Sequence, residues 1–374
     1  MIYLDNAATT QIANEVLTAM QPYLKDQYGN ASSLHKKGQE AKEALENSRK
    51  KIADLLKCSP EEIIFTSGGS ESDNLAIKGI TYKHKSGHII TSKIEHPAVL
   101  ETCKHLEKQD YEVTYLNVNK EGIIDLNQLK NSIKNNTILV TIMHSNNEIG
   151  TIQPIDEIKK ICKDIPFHSD AIQSFGKIPI DIKNFDLISI SSHKIHGPKG
   201  IGALYIRKGI KLDKLIDGGS HEFNLRAGTE NIPAIVGFAK ASETMFKEIN
   251  NKKVINLRDK LIKCILEIKD SWINGSLKNR LPNNVNVSFK NIEGEALVLR
   301  LDSKGIAAST GSACSTKTLK PSHVLLAIGL KPEESHGSLR LTLSRYTTEK
   351  EIDKTIIEIK KIIKELRDIT PFGG

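Results

Sequence analysis

Ile63-Ile64-Phe65-Thr66-Ser67-Gly68-Gly69-Ser70-Glu71 reads as a buried strand that turns through two glycines into a helix. The apolar run is short and continuous, as in a strand covered on both faces. Glycines let the backbone approach an anion closely. A helix start then aims free N–H groups and the positive end of its dipole at that anion. Ser70 adds a hydroxyl donor. Two glycines after a strand also make an ordinary tight turn, so a phosphate reading needs support from the rest of the chain.

Outward from this stretch the pattern repeats. Before it, Ala41, Ala44, Leu45, Ile52 and Leu55 recur at helical spacing. After it come a helix from about Ser70, the strand His88–Thr91, a helix from Pro97, the strand Glu112–Leu116 and a strand over 136–143 centred on Ile138-Leu139-Val140. From about residue 40 to 245 the alternation predicts an α/β fold with a mostly parallel sheet covered on both faces. Such sheets bind ligands at the carboxyl ends of their strands. After about 246 the pattern changes. A long polar helix is expected to about Ser271, then a strand with one exposed face over Asn284–Phe289. Leu297-Val298-Leu299 reads as helix, Leu339–Leu343 alternates again, and Ile352, Ile356, Ile359, Ile363 and Leu366 mark a last helix packed on a sheet. The expected division is a large domain over 15–246 and a smaller α+β domain formed by 1–14 and 247–374.

The chain has 374 residues, 39% of them hydrophobic and 26% charged, with a net charge of +8. The lysines are spread among glutamates and no arginine-rich arm is present, which argues against direct nucleic-acid binding. Cysteines stand at 58, 103, 162, 264 and 314, an odd count without a C-x-x-C pair. That excludes a disulfide framework or a structural zinc site as the organising feature and favours a reduced, cytoplasmic setting. No basic leader precedes an apolar core at the start, and no run of about 18 apolar residues suggests a membrane span.

Several residues carry chemistry. Lys194 follows the apolar run Phe185–Ile190 and Ser191-Ser192-His193, and precedes the turn Gly197-Pro198-Lys199-Gly200. A partly desolvated lysine at a strand end loses its proton readily and suits a Schiff base. Asp170, in Phe167-His168-Ser169-Asp170, can pair with a protonated pyridine nitrogen, or merely cap the next helix. His96, in Glu95-His96-Pro97, can stack on a ring and shuttle protons. Asn147, in the loop after the 136–143 strand, can offer an amide to a ring hydroxyl or a carboxylate. A lysine, a strand-end aspartate, a phosphate-binding helix start and a ring-stacking histidine are together the parts of a pyridoxal 5'-phosphate site.

The chain resembles the cysteine desulfurases, within the class V aminotransferase group of fold-type I pyridoxal phosphate enzymes. The resemblance runs from Tyr3-Leu4-Asp5-Asn6-Ala7-Ala8-Thr9-Thr10 to the last helix. It includes Tyr28-Gly29-Asn30, Glu95-His96, His144-Ser145-Asn146-Asn147-Glu148-Ile149-Gly150-Thr151, Ser192-His193-Lys194, Arg226-Ala227-Gly228-Thr229 and Gly311-Ser312-Ala313-Cys314. It implies a mostly parallel, seven-stranded-type sheet in the large domain and the catalytic cysteine on the small one. It also implies that Lys194 holds the cofactor, Asp170 pairs with the ring nitrogen and Gln173 bonds the ring oxygen. Gly69, Ser70, Ser191 and His193 would bind phosphate, and Thr229 would reach the phosphate in the other subunit of a homodimer. His96 would stack on the ring and move protons, and Asn147 and Arg340 would hold the substrate carboxylate, for which the planar arginine fork is suited.

Cys314 sits in the small, polar stretch Ala307–Thr318, which reads as a loop able to carry a thiol over tens of Å at most. The remaining cysteines fall in predicted helices or at their ends, where packing is the expected role. The resemblance implies that L-cysteine loses its sulfur to the Cys314 thiolate, leaving alanine and an enzyme persulfide. The sulfur would pass to an iron–sulfur scaffold or a tRNA-thiolation enzyme. No resident metal is expected, although Cys314 is a candidate transient iron–sulfur ligand. A selenocysteine lyase or another class V transferase is the alternative. Three departures from the family pattern stand out: Gly69-Ser70 where many relatives have Ala-Thr, Ala31 in place of a usual proline, and a short segment after Ile369. The last leaves the sulfur acceptor open.

Overall fold

The fold is seen in a computed structural model that describes residues 1–310 and 321–369. Its strands are β1 (Ile2–Tyr3), β2 (Ile63–Thr66), β3 (His88–Ser92), β4 (Glu112–Leu116), β5 (Thr137–Thr141), β6 (Phe167–Asp170), β7 (Leu187–Ser191), β8 (Gly202–Ile206), β9 (Ser271–Ile273), β10 (Asn284–Phe289), β11 (Ile306–Ala307) and β12 (Ser338–Thr342). The first helices are α1 (Asn14–Lys25), α2 (Lys36–Leu56), α3 (Gly69–Thr81) and α4 (Pro97–Glu107).

Among the described residues, a seven-stranded sheet runs in the order β2-β8-β7-β6-β5-β3-β4. Only β8 runs against its neighbours. Apart from the edge strand β4 and the start of β5, the strands are buried on both faces and divide their side chains by the two-residue period of the pleat. Ile63, Phe65, Val140, Ile188, Ile190, Ala203 and Tyr205 enter one core with α1 and α2. Ile64, Leu139, Leu187, Leu204 and Ile206 enter the other with α3 and α4. The expected mostly parallel sheet is therefore present.

This topology gathers chain segments at one edge. The carboxyl ends of β2, β3, β5, β6 and β7 lead into Gly68-Gly69, His96, Asn147, Asp170 and Lys194. Because β8 runs the other way, its first residue, Gly202, pairs with Thr66 and Ser191 at that same edge. A Cβ at Gly202 would lie 2.8 Å from the Gly68 Cα, so glycine permits the close approach there.

A separate core surrounds the sheet β12-β10-β9 and takes in Ile2, Leu4, Val285, Val287, Phe289, Leu339 and Leu341. It also takes in Ile352, Ile356, Ile359, Ile362 and Ile363 of the helix Glu349–Ile369. β1 pairs in parallel with β11, fastening the chain start to this core.

Two expectations need correction. The polar helix spans only Lys252–Ile265: the Asn251 side chain accepts the Val254 N–H and caps its start, and Ser271 already belongs to β9. β10 alternates as predicted but has no exposed face. Val285, Val287 and Phe289 fill the core, while Asn284 and Asn286 each donate to the Glu148 carbonyl at 3.1 Å. The polar face is thus buried on the loop after β5, with its amides satisfied. Among the described residues, no helix is long and apolar enough to cross a membrane.

Candidate active site

Asp170 ends β6 with its carboxyl buried, and Oδ1 accepts the Ile172 N–H at 2.9 Å. Burial pushes its pKa up to about 6, against the pull of that N–H and of the Lys194 charge. One turn into α3, Asp73 brings a second buried carboxyl, and donor atoms of Asp73, Asp170 and His96 all lie within 4.8 Å of one another. His96 caps α4, its Nδ1 accepting the Ala98 N–H at 3.1 Å. That bond leaves the ring proton on Nε2. Burial, with the Lys194 and His323 charges, pushes His96 down to about 4, so the imidazole is neutral at physiological pH.

Lys194 closes the short turn after β7, with Nζ donating to the carbonyls of Ala7 at 2.6 Å and Ala8 at 2.7 Å. Gln173 donates to the same Ala7 carbonyl at 3.0 Å and accepts from Lys177 at 3.4 Å. The N-terminal segment that matched the family thus forms a wall of the pocket. Lys177 is a second buried amine, pushed down to about 7 by burial and the Lys194 charge.

At the end formed by α3, Gly68 adopts a φ of +152° as the helix cap and Ser70 is exposed. The Ser191 and Ser192 hydroxyls are buried without a hydrogen-bond partner. His193 Nδ1 sits 3.2 Å from the Thr9 hydroxyl. A Cβ at Gly69 would lie 2.0 Å from Ile172 Cδ1. The space a Cβ would take at this position is filled here by the tip of Ile172. Thr229 is exposed on a separate cleft of about 160 Å³, shared with Ser67, Arg226 and Gly228.

Arg340, on β12, comes from the sheet β12-β10-β9 and is itself buried. Nη2 pairs with Asp5 Oδ1 at 2.9 Å and Nη1 donates to the Asn147 carbonyl at 3.1 Å, while Nε has no partner. Cys314 lies outside the described residues, but the chain on either side is fixed at this pocket. Ser309 bridges Arg340 through two backbone hydrogen bonds. Ser322 donates to the Glu148 carboxyl at 2.5 Å, and His323 bonds the Glu95 carbonyl, next to His96, at 3.0 Å.

The structure brings Lys194, Asp170, His96 and Gln173 to one pocket, puts Gly69, Ser70, Ser191 and His193 along the α3 end of the same edge, and sets Arg340 and Asn147 against each other. It puts Thr229 on the other cleft. Reasoning from sequence missed Asp73, Ser192, Lys177 and the Asp5 carboxylate on Arg340. Asp73 carried a signal: it shares a helical stripe with Ala76, Ile77 and Ile80, where a charge is out of place.

These groups fit pyridoxal phosphate. Asp170 is a buried acid at a strand end, suited to a protonated ring nitrogen. Ser191 and Ser192 are buried hydroxyls without partners beside a glycine-started helix, suited to a phosphate. Lys194 supplies the amine.

Comparison with known proteins agrees. The family described as "Aminotransferase class-V" matches residues 2–355. The "Cysteine desulfurase IscS" of Methanosarcina thermophila is 52% identical over 99% of this chain and 94% of its own length. That of Dictyoglomus turgidum is 51% identical over 99% and 96%. Among solved structures, a "NIFS-LIKE PROTEIN" superposes with a TM-score of 0.92 at 39% identity, covering 97% of this chain and 99% of its own. "SspA in complex with cysteine" superposes with 0.84 at 41% identity, covering 93% and 100%. The chain belongs to the pyridoxal phosphate-dependent class V aminotransferase family and, within it, to the cysteine desulfurases.

Proposed function

We propose that this chain takes sulfur from L-cysteine onto Cys314 and hands it to an acceptor, with the pocket at the carboxyl edge of the main sheet as the reaction site. The buried Asp170 carboxyl, facing His96 beside Lys194, carries this reading. Lys194 would anchor the cofactor aldehyde, Asp170 would face the ring nitrogen, Gln173 the ring oxygen, and Gly69, Ser70, Ser191, Ser192 and His193 the phosphate. When bound, pyridoxal phosphate supplies an electron sink for the carbon skeleton of the amino acid.

The chain's own residues do the rest. Arg340 offers Nε and its fork to the substrate carboxylate, with Asn147 beside it; Asp5 holds the fork in place until then. Lys194 would serve as the base within the pocket for the α-proton. His96 is set as a proton donor through Nε2, since its Nδ1 is committed to Ala98. The Cys314 thiolate attacks the substrate sulfur: the S–S bond forms, the carbon–sulfur bond breaks, and the electron pair returns to the carbon skeleton, which takes up protons and leaves as alanine. The sulfur is oxidised to the persulfide level as the carbon is reduced, so no outside oxidant is needed.

The covalent tether supports Cys314. It follows Thr310, next to the Arg340 bridge, by four residues in the sequence. Three of the other thiols, Cys58, Cys103 and Cys162, are poor candidates. Burial, reinforced by nearby carboxylates, pushes Cys58 up to about 12, and burial pushes Cys162 to about 12 and Cys103 higher still. The separate core around β12-β10-β9, which takes in Ile2 and Leu4, supports the two-domain division drawn from sequence. An exposed Thr229 beside Gly228, together with exposed Tyr28 and Leu34, supports a homodimer in which Thr229 serves the partner's cofactor. A cytoplasmic location and an acceptor from iron–sulfur assembly or tRNA thiolation complete the reading.

Cysteine-dependent alanine and sulfide release by wild type and Cys314→Ala tests it. Loss of about 10²-fold or more in Cys314→Ala, with the cofactor retained, is expected. Equal release by both proteins contradicts the role of Cys314 and favours a lyase.

A further inference from the structure

Asp73 has no part in the reaction as described, yet it is the charge-bearing side chain buried next to Asp170. Its face of α3 also holds Ala76, Ile77 and Ile80 and packs on the sheet. The groups around its carboxyl are Asp170 and His168 from β6, Ser189 from β7, and Glu95 and His96 from the turn after β3. None is a cation. His168 bonds the hydroxyls of Thr141 at 2.8 Å and Ser189 at 2.9 Å, and burial pushes it down to about 3. Its Nε2 is the nearest basic nitrogen, 3.6 Å from Asp73 Oδ1. Neither Asp73 oxygen makes a well-formed hydrogen bond.

Two ionised carboxylates do not share a dry site without a cation, so one of the pair holds a proton. The surroundings decide which. Asp170 accepts the Ile172 N–H and feels the Lys194 charge, both of which favour its ionised form. Asp73 lies deeper in the helix–sheet interface, where burial and the Asp170 charge oppose ionisation and only the Ser189 hydroxyl favours it.

We propose that Asp73 is a positioning residue that carries the shared proton as a neutral carboxylic acid, so that the single negative charge of the pair stays on Asp170, opposite the cofactor ring nitrogen. The role of that charge rests on the cofactor assignment above, whereas the place of the proton is a property of the protein alone.

Infrared spectroscopy of the full chain, with and without pyridoxal phosphate, tests this at neutral pH with carbon-13-labelled aspartate. Glu95 and Glu148, buried acids pushed up to about 8 and about 7, do not respond to the label. A label-sensitive protonated-carboxyl band is expected in both forms, kept in Asp170→Asn and lost in Asp73→Asn. Pyridoxal phosphate binding should weaken by less than about threefold in Asp73→Asn and by more than about tenfold in Asp170→Asn. Absence of the band in wild type overturns the proposal, as does its loss in Asp170→Asn. Equal weakening of cofactor binding by the two substitutions overturns it too. Should Asp73→Asn fail to fold, the wild-type and Asp170→Asn spectra still decide. The band persisting in a chain that binds no pyridoxal phosphate supports the placement of the proton and refutes the cofactor assignment instead.

Discussion

Two buried clusters of charged side chains, one at β2 and one at the carboxyl end of β6, are built in opposite ways. At one, Arg49 and Glu222 form a two-pronged pair at 2.8 Å for each prong. Glu222 also accepts the Phe65 N–H, and Arg49 also donates to the Ile63 carbonyl. The Arg49 guanidinium lies between the rings of Phe65 and Phe223, 4.9 and 5.0 Å from their centroids. At the other, two acids, Asp73 and Asp170, face each other with hydroxyls and neutral imidazoles around them. The first cluster is electrically closed and ties α2 to the sheet. The second is left short of positive charge, as a site is that completes itself with a ligand. The contrast separates a structural ion pair from a working one without reference to any relative.

Each cluster should therefore fail differently. Arg49→Ala leaves Glu222 buried without its cation and should cost about 3–5 kcal/mol of stability, read by denaturant unfolding. Its effect on turnover of the folded enzyme should be small; a large loss of turnover with intact stability would place Arg49 in the chemistry. Asp170→Asn should do the reverse and lower kcat/KM by about 10²–10³-fold.

The cofactor-free Asp170→Asn protein should also gain stability at neutral pH. Asp170 has a folded pKa raised to about 6, so its favourable contribution is complete below the usual aspartate range and is lost as pH rises through about 6. At neutral pH the ionised acid is a burden of about 3 kcal/mol that the asparagine lacks. Unfolding of the two cofactor-free proteins across pH checks this, and a less stable variant at neutral pH would contradict it.

The smallest effect concerns the neutral imidazoles that line the second cluster. His168 has a folded pKa depressed to about 3 by burial, so its contribution is complete above about 6.5 and is lost as pH falls toward about 3. His168→Gln, which cannot take up that proton, should flatten the acid side of the stability profile by about 1–2 kcal/mol near pH 5. An unchanged slope would mean that His168 is already charged beside Asp73.

The difference between the clusters also explains what could be read from the amino-acid order. Strand ends are visible as apolar runs that stop, so Asp170 and Lys194 stood out, and Gly68-Gly69 marked the start of α3. Asp73 left only a weak trace, a charge on an apolar helical stripe, because its meaning depends on the distance to Asp170, nearly a hundred positions away. The same holds for Asp5 on Arg340 and for β1 on β11, where the partners come from opposite ends of the chain. The buried polar face of β10 was misread for a related reason: alternation shows which side chains share a face, not what covers it.

The central claim is that Lys194 is the amine that anchors the cofactor. It has a nearby rival, since Lys177 is also buried and is depressed to about 7. Borohydride reduction of the pyridoxal phosphate-loaded protein, followed by peptide mass spectrometry, distinguishes them. The account predicts a pyridoxyl adduct on Lys194 alone; an adduct on Lys177, or a reduced protein with no adduct at Lys194, would contradict it.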